Sequence, residues 1–502
     1  MLAKTFSATL RGMDPVKIEV EIDAVRGAPK LIIIGLPNKA IDEAKERITA
    51  SLLNCDIRPK SRRTVINLAP ANLKKSDNAI EFAIVVALLK LYGKVKIDTD
   101  QAIFLGELSL DGSLKPITGA LPLVIAAKEM GFEAVFLPKA NLNEVNIIKG
   151  IKIYPVDHLR RFITFADKKD PKAIKPACLR TFASQKQVYS LDFADIKGQP
   201  QAKRALEICA AGGHNLIMVG PPGAGKSLLA KTFPSILPPL TEQEAIEVTK
   251  IFSIAGLTHQ TGLITTRPFR SPHHTISQAG LVGGGSNLKP GEISLAHRGV
   301  LFLDEIPEFS RAALEALRQP MEDGVVTIAR AAGSARYPAS FSLIAAANPC
   351  PCGYFGSKQK KCRCTPQVIE RYRQRLSGPV LDRIDVKLHV DAVDIKALTE
   401  KEKSQNETSA QIRKRVIKAR QRQLKRYQGT PYLTNSELIS KDVRRLLKLT
   451  NGANQLLTQA ATNLALSARS YFKIIKVAQT IADLAGEEVI QREFISEALQ
   501  YR

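Results

Sequence analysis

Gly220-Pro221-Pro222-Gly223-Ala224-Gly225-Lys226-Ser227-Leu228 follows directly on the apolar run Asn215-Leu-Ile-Met-Val219, and this junction decides how the chain is read. The apolar run reads as a buried strand, the glycines as a tight turn, and the residues after Lys226 as the start of a helix. Glycines let backbone N–H groups close around phosphates, a lysine at this position reaches the terminal phosphates as a point charge, and the Ser227 hydroxyl is placed to hold Mg²⁺. The spacing therefore predicts a nucleoside triphosphate site. An accidental glycine-rich turn is the competing reading, and the strand before it and helix former after it count against it.

A second half of the same site lies further along the chain. Gly299-Val-Leu-Phe-Leu-Asp304-Glu305 reads as another buried strand ending in two adjacent carboxylates. Alone, such a pair is a common way to end a strand. Coupled to the glycine-rich loop, it predicts Asp304 as a Mg²⁺ ligand and Glu305 as the group that orients and deprotonates an attacking water.

The composition bounds what surrounds this site. At 502 residues and 44% hydrophobic content the chain suits two to four domains, each with its own core. No apolar run approaches the 18 residues of a membrane span, and the first residues lack a signal-peptide core, so a cytoplasmic location is expected. The formal net charge of +25 favours phosphate-rich polymers or anionic surfaces, nucleic acid above all, although charge alone also fits a merely solvated basic surface. Part of the excess lies in Arg413-Lys-Arg-Val-Ile-Lys-Ala-Arg-Gln-Arg-Gln-Leu-Lys-Arg426, which reads as a helix. Two readings of it stand: an exposed or intersubunit face, and direct DNA contact.

Three blocks follow from the patterning. Residues 1–167 alternate β-like runs (Lys17–Ile22, Leu31–Ile34, Thr64–Leu68, Ala134–Leu137) with helical patterns (Ala40–Asn54, Ile80–Leu91), which predicts an α/β domain. Residues 168–189 are basic and proline-broken and read as a linker. The triphosphate-binding block covers 190–395, and 396–502 reads as helical throughout.

Several stretches carry a family likeness. Phe193-Ala-Asp-Ile-Lys-Gly-Gln-Pro-Gln-Ala-Lys-Arg204, the loop at Gly220, Arg267-Pro-Phe-Arg-Ser-Pro-His-His274, Gly280-Leu-Val-Gly-Gly-Gly285, Pro290-Gly-Glu-Ile-Ser-Leu-Ala-His-Arg-Gly299 and Leu381-Asp-Arg-Ile-Asp385 resemble the magnesium-chelatase-like AAA+ ATPases of the ComM (YifB) group. The likeness spans essentially the whole chain. It implies an amino-terminal domain similar to the Lon protease (ribosomal S5-like) fold, a P-loop AAA+ α/β module and a carboxy-terminal α-helical lid. It also implies ATP and Mg²⁺ as cofactors, a homo-oligomer that is a hexameric ring, and DNA branch migration in natural transformation.

The resemblance further implies roles for single residues. Asn348, ending Ser342-Leu-Ile-Ala-Ala-Ala-Asn348, corresponds to sensor 1, Arg383 to an arginine finger acting on a neighbouring subunit, and Arg469 to sensor 2 on the lid. Val325–Arg330 and Ala335–Pro338 flank Ala331-Ala-Gly-Ser334 and predict a hairpin with Gly333 in its turn. It resembles the pre-sensor hairpin of minichromosome maintenance helicases, which would carry Arg330 and Arg336 into a pore to hold DNA phosphates. Gly280–Gly285 reads as a second pore loop, and ordinary structural hairpins with surface arginines are the competing reading.

Seven cysteines include two close pairs, Cys350/Cys352 and Cys362/Cys364, whose spacing predicts a structural Zn²⁺ knuckle around a basic insert. Free thiols are the alternative, since Cys-x-Cys is tighter than the usual spacing. Cys55, Cys178 and Cys209 stand alone and read as core or linker residues. His273 and His274 have no acidic or thiol neighbour in sequence and are not expected to bind metal. Two other activities are weighed. Gly106–Gly119 and Ala134–Lys139 resemble the Lon protease domain, but Ala79 stands at its serine position and Ala120-Leu-Pro-Leu123 where its lysine belongs, so proteolysis is not expected unless Ser76 is the nucleophile. A chelatase motor subunit is the third reading, disfavoured by the amino-terminal domain and the basic surface.

Overall fold

The computed structural model describes residues 2–28, 30–35, 38–58, 62–70, 78–168, 170, 172–182, 189–258, 262–285, 288–330, 333–357, 360–376, 378–391 and 407–502. Its first unit is a seven-stranded mixed sheet. Leu2–Arg11 pairs antiparallel with Asp14–Val25, which pairs antiparallel with Arg63–Ala69. Lys30–Ile34 adds parallel at that edge, and Ala102–Phe104, Ala134–Pro138 and Lys152–Val156 continue the other side in parallel. The helix Glu81–Leu91 is buried all round except at Lys90, as its near-continuous apolar sequence requires. Phe82, Phe104, Phe136 and Phe162 meet edge-on or stacked in the core between it and the sheet.

Each expected strand and helix of this unit is present. Ala79 is 4% exposed and its carbonyl accepts from the Gly106 N–H, so a methyl group occupies a packed position there. Ser76 lies outside the described residues. Ala120, Leu121 and Leu123 are buried in the helix Ala120–Glu129.

The segment read as a linker is partly bound down. Ile174 is buried in the first core, the Ala177 N–H donates to Ile153 O and the Arg180 N–H to Asn146 O. Apolar residues between the basic ones, overlooked beside the prolines, supply that anchorage.

The second unit is a five-stranded sheet, parallel at every pairing. From one edge its strands are Phe269–Arg270, Val300–Leu303, Ser342–Ala347, Leu216–Val219 and Val386–His389. Val300–Leu303, Ser342–Ala347 and Leu216–Val219 are almost wholly buried, which is why they read as unbroken apolar runs and not as alternating strands. Parallel order aligns all carboxyl ends on one side, where ligands bind in open α/β sheets.

Among the described residues five helices follow: Ser409–Arg426, Ser440–Leu446, Asn451–Asn463, Ala468–Ala485 and Arg492–Leu499. They share one hydrophobic core with the helix Pro200–Gly212 of the ATP-type module. The basic helix Ser409–Arg426 keeps Lys414, Lys418 and Lys425 exposed, as an exposed face requires, and engages other cations in contacts within the chain. Arg413 donates to Ser235 O at 2.8 Å, Arg420 to Ala210 O at 2.9 Å and Arg422 to Asp483 O at 2.6 Å. Arg415 pairs with Glu207 at 2.5 Å and Arg426 with Asp483. Arg413, Arg415 and Arg420 tie this helix to the module, while Arg422 and Arg426 tie it to the helix Ala468–Ala485, because carbonyls at helix ends and buried acids need donors. Burial brings the Arg420 guanidinium down to about 10, with Arg267 adding repulsion.

The first unit docks on the second at two places. The Gly119 N–H donates to Ser253 O at 2.9 Å, and buried Thr258 donates to Glu144 at 2.7 Å. The turn at Arg11 and Gly12 lies against Gly333 and Ala335 so closely that a Cβ on Gly12 would stand 2.4 Å from Ala335 Cβ. No described helix is long and apolar enough to cross a membrane.

Candidate functional site

The phosphate-type loop leaves the strand Leu216–Val219 at the carboxyl side of the sheet and enters the helix Lys226–Thr232. Gly220 passes so near the next strand that a Cβ would stand 2.1 Å from Val390 O, so no larger residue fits. Gly223 (φ 77°) and Gly225 (φ 84°) are left-handed, and a Cβ on either meets nothing within 4 Å. There is open space beside the loop at both glycines. Ala224 is buried beneath it, while Pro222 and Leu228 are exposed. Lys226 is 8% exposed, and its ammonium donates to Gly220 O (2.6 Å), Pro221 O (2.9 Å) and Asn348 Oδ1 (3.2 Å). Burial lowers its pKa against the pull of Asp304 and Glu305.

Asp304 and Glu305 follow the strand Val300–Leu303, which is separated from Leu216–Val219 by the strand Ser342–Ala347 that ends just before Asn348. The Ser227 hydroxyl donates to Asp304 Oδ2 at 2.6 Å, and the Glu305 N–H donates to Asp304 Oδ1 at 3.0 Å. Hydroxyl and carboxylate oxygens beside a buried ammonium are a hard-donor set suited to Mg²⁺ and phosphate oxygens. Glu305 has φ 50°, a left-handed conformation that costs a branched-free but bulky side chain about 1 kcal/mol or more. Its carboxylate stays exposed over the site.

Sequence reasoning missed one neighbour. His274 Nδ1 lies 3.7 Å from Glu305 Oε2, and its ring sits 4.1 Å from that of His273. No acidic residue neighbours the histidines in sequence; the one beside His274 comes from an adjacent strand. Phe269–Arg270 pairs with Val300–Leu303, so the residues after both strands emerge together. A histidine pair just past a short apolar segment was the available signal.

Arg383 and Arg469 lie elsewhere. The strand Val386–His389 pairs Val386 with Leu216 and His389 with Val219, so residues before Val386 sit at the opposite end of the sheet from Gly220. Asn215 Nδ2 donates to Arg383 O at 3.1 Å, fixing Arg383 at that far end, five residues or roughly 15 Å along the strand from the loop. Arg469 stands 3.6 Å from Asp382, and both arginines line a cleft of about 970 Å³ between module and lid. The side chain of Arg383 is 9% exposed and pairs with Glu322, while that of Arg469 is 63% exposed. Below them Asp385 is held under its usual range: burial opposes ionisation, but His214 (3.4 Å) and nearby lysines outweigh it.

The hairpin between acid pair and Asn348 is present, Val325–Arg330 against Gly333–Pro338. Gly333 is not in its turn. It pairs with Arg330 and begins the second strand, since the register leaves only positions 331 and 332, outside the described residues, between the strands. Strand alternation puts Arg330 and Arg336 on opposite faces: Arg336 is opposite exposed Thr327, whereas Arg330 follows buried Val326 and Ile328. Both are exposed. The Gly280–Gly285 segment forms a short helix Gln278–Val282, then Gly283–Gly284 pairs with Lys289–Pro290. The Arg330 guanidinium lies 3.5 Å from where a Gly284 Cβ would be, so the two candidate DNA elements form one body.

The four paired cysteines converge, their sulfurs all within 4.8 Å of one another. Cys350 lies 3.3 Å from Cys352 and 3.7 Å from Cys362. Backbone N–H groups of Arg363 and Tyr354 hold the Cys352 thiol down to about 6. Lys360 sits 5.2 Å over the Tyr354 ring, and Lys358 lies outside the described residues. Cys55 and Cys209 are buried, and Cys178 is exposed.

Comparisons with known proteins agree along the whole chain. The family model described as magnesium chelatase, subunit ChlI, matches residues 192–398, its carboxy-terminal counterpart matches 406–502, and one described as subunit ChlI of Mg-chelatase matches 20–141. The competence protein ComM of Haemophilus influenzae is 38% identical over 505 residues, covering 100% of this chain and 97% of its own. YifB of Escherichia coli, uncharacterised, is 38% identical over 493 residues, covering 98% and 95%. A magnesium-chelatase 38 kDa subunit of Rhodobacter capsulatus is 26% identical over 258 residues, covering 46% of this chain and 69% of its own. The match at 20–141 carries a chelatase name, so the amino-terminal domain does not itself separate the two kinds of relative, whereas the length of the match does. The chain belongs to the ComM/YifB group of magnesium-chelatase-like AAA+ ATPases.

Proposed function

We propose that this protein is a cytoplasmic ATP-driven DNA motor, a hexameric ring that promotes branch migration during recombination of incoming DNA in natural transformation. The observation that carries the reading is the separation of the site into two ends of one sheet. Lys226, Ser227, Asp304, Glu305 and Asn348 gather at the carboxyl side, while Arg383 and Arg469 stand at the other end with module and lid between. A chain so built cannot supply its own arginines to its own nucleotide, and a head-to-tail ring of copies does.

In this reading the open space beside the loop takes the ATP phosphates, and Ser227 and Asp304 hold Mg²⁺. That ion neutralises phosphate charge when bound. Lys226 leaves the loop carbonyls for the terminal phosphates, Glu305 accepts the proton of the attacking water, and Asn348 orients that water. Arg383 and Arg469 of one copy stabilise charge developing at the neighbour's site. The net charge of +25 and the exposed Arg330 and Arg336 support DNA as the polymer gripped, through phosphates and without sequence readout. The name of the Haemophilus relative supports the competence setting. Proteolysis finds no support, since neither Ala79 nor Ala120–Leu123 offers a nucleophile or base. The four-cysteine cluster is read as a Zn²⁺ site.

The test is ATP-dependent migration of a synthetic four-way junction, run with Arg330→Ala/Arg336→Ala as control. Migration by the native chain that the double variant loses, with ATP binding kept, is expected. Equal migration by both removes the hairpin from the mechanism, and none by the native chain removes the function.

A further inference from the structure

The cysteine cluster does not hang from the module as a separate finger. Cys350 follows Asn348 by two residues, and Asn348 Oδ1 accepts from the Lys226 ammonium at 3.2 Å. The knuckle then turns back onto the phosphate loop. Gly353 has φ 82°, its N–H donates to Cys350 O at 2.9 Å, and a Cβ there would stand 2.5 Å from Pro222 Cδ and 2.7 Å from Pro222 Cγ. The loop is thus touched by the knuckle from two directions, through Asn348 and through Pro222. The sulfur geometry suits a tetrahedral dication: Zn–S bonds of about 2.3 Å give sulfur–sulfur edges of about 3.8 Å, against 3.3, 3.5 and 3.7 Å among Cys350, Cys352 and Cys362. All four cysteines are free thiols, and two are separated from two by a short insert with little core of its own.

We infer that Zn²⁺ held by Cys350, Cys352, Cys362 and Cys364 is a brace for the phosphate loop, so that metal occupancy sets the protein's affinity for ATP. Pro222 is exposed, and Gly353 stands so close to it that even a Cβ at 353 would collide with the proline ring, so the knuckle forms a wall against the loop there. Without metal, four crowded sulfurs repel or rearrange, Gly353 withdraws, and the loop loses its wall. The inference rests on the ATP site proposed above.

The experiment uses the full-length protein and a fluorescent ATP analogue with Mg²⁺. Metal analysis of the purified chain should give one zinc per protomer. Stripping it with a thiol-reactive mercurial and chelator should raise the analogue's Kd about tenfold, and adding back zinc after thiol release should restore it. Gly353→Ala should keep its zinc and still weaken the analogue severalfold, because the added methyl pushes on Pro222 while the cysteines are intact. That variant separates a brace from mere unfolding of a Cys352→Ser/Cys362→Ser chain. Absence of zinc, or unchanged affinity in either the stripped chain or Gly353→Ala, overturns the inference. Failure of the zinc-loaded native chain to bind the analogue at all would instead overturn the ATP site itself.

Discussion

Arg383 offers the sharpest test of a shared site. It lies at the level of Asn215, at the end of the sheet away from Gly220, so its guanidinium has roughly 15 Å of strand between it and its own loop. Replacing it by alanine should leave nucleotide binding near native and cut turnover about 10³-fold or more, the range for removing an arginine that stabilises the transferring phosphoryl group. That corresponds to about 4 kcal/mol of transition-state stabilisation. Lys226→Ala should be equally inactive, for the opposite reason. In rings mixed 1:1 from the two variants, an interface works only when the loop comes from an Arg383→Ala chain and the arginine from a Lys226→Ala chain. Random assembly makes about a quarter of interfaces of that kind, so about a quarter of native ATPase should return if interfaces fire independently. The assay is steady-state phosphate release from co-refolded or exchanged mixtures, with mixing verified by differently tagged chains. Verified mixed rings that stay as inactive as either parent would refute the assignment of Arg383 to the neighbour's site.

Three further outcomes are expected. Asp483, fully buried and held by Arg426 and by Asn435 Nδ2 at 2.9 Å, should cost about 3 kcal/mol when changed to alanine, because a largely buried guanidinium loses its carboxylate; chemical denaturation of the lid reports it, and a loss under 1 kcal/mol would contradict the burial argument. His274→Ala should lower kcat about tenfold by freeing Glu305 from its 3.7 Å neighbour while ATP-analogue affinity stays native, and restoration by His274→Gln would show that orientation, not charge, is what the ring supplies. Glu247 is held down to about 2 by its bond to His297, with Arg298 contributing at 3.0 Å. A depressed carboxylate adds stability above its unfolded value and loses it as pH falls, so the melting-temperature gap between native and Glu247→Gln should be full at neutral pH, shrink below pH about 4.5 and vanish near pH 2; a constant gap would disprove the linkage.

Much of the ATP site was readable from local pattern, because a loop that cradles phosphate and a strand that ends in paired acids are each contiguous. Gly220–Ser227, Asp304 and Glu305 could be named without coordinates for that reason, whereas Asn348 was named only through the family resemblance, and parallel strands announce themselves as unbroken apolar runs. Partners drawn from different strands carry no such trace. His274 meets Glu305 only because two short strands pair in parallel, and Gly353 meets Pro222 only because the cysteine knuckle folds back over the loop. The arginines of Ser409–Arg426 show the same limit from the side of charge. Their number predicts a basic face, but whether a guanidinium faces DNA or a carbonyl depends on which helix ends lie within its reach, and Ser235 O and Ala210 O are brought there by packing. Strand polarity likewise set Arg383 against its own loop by direction alone, a relation between two chain segments 168 residues apart that sequence order does not encode.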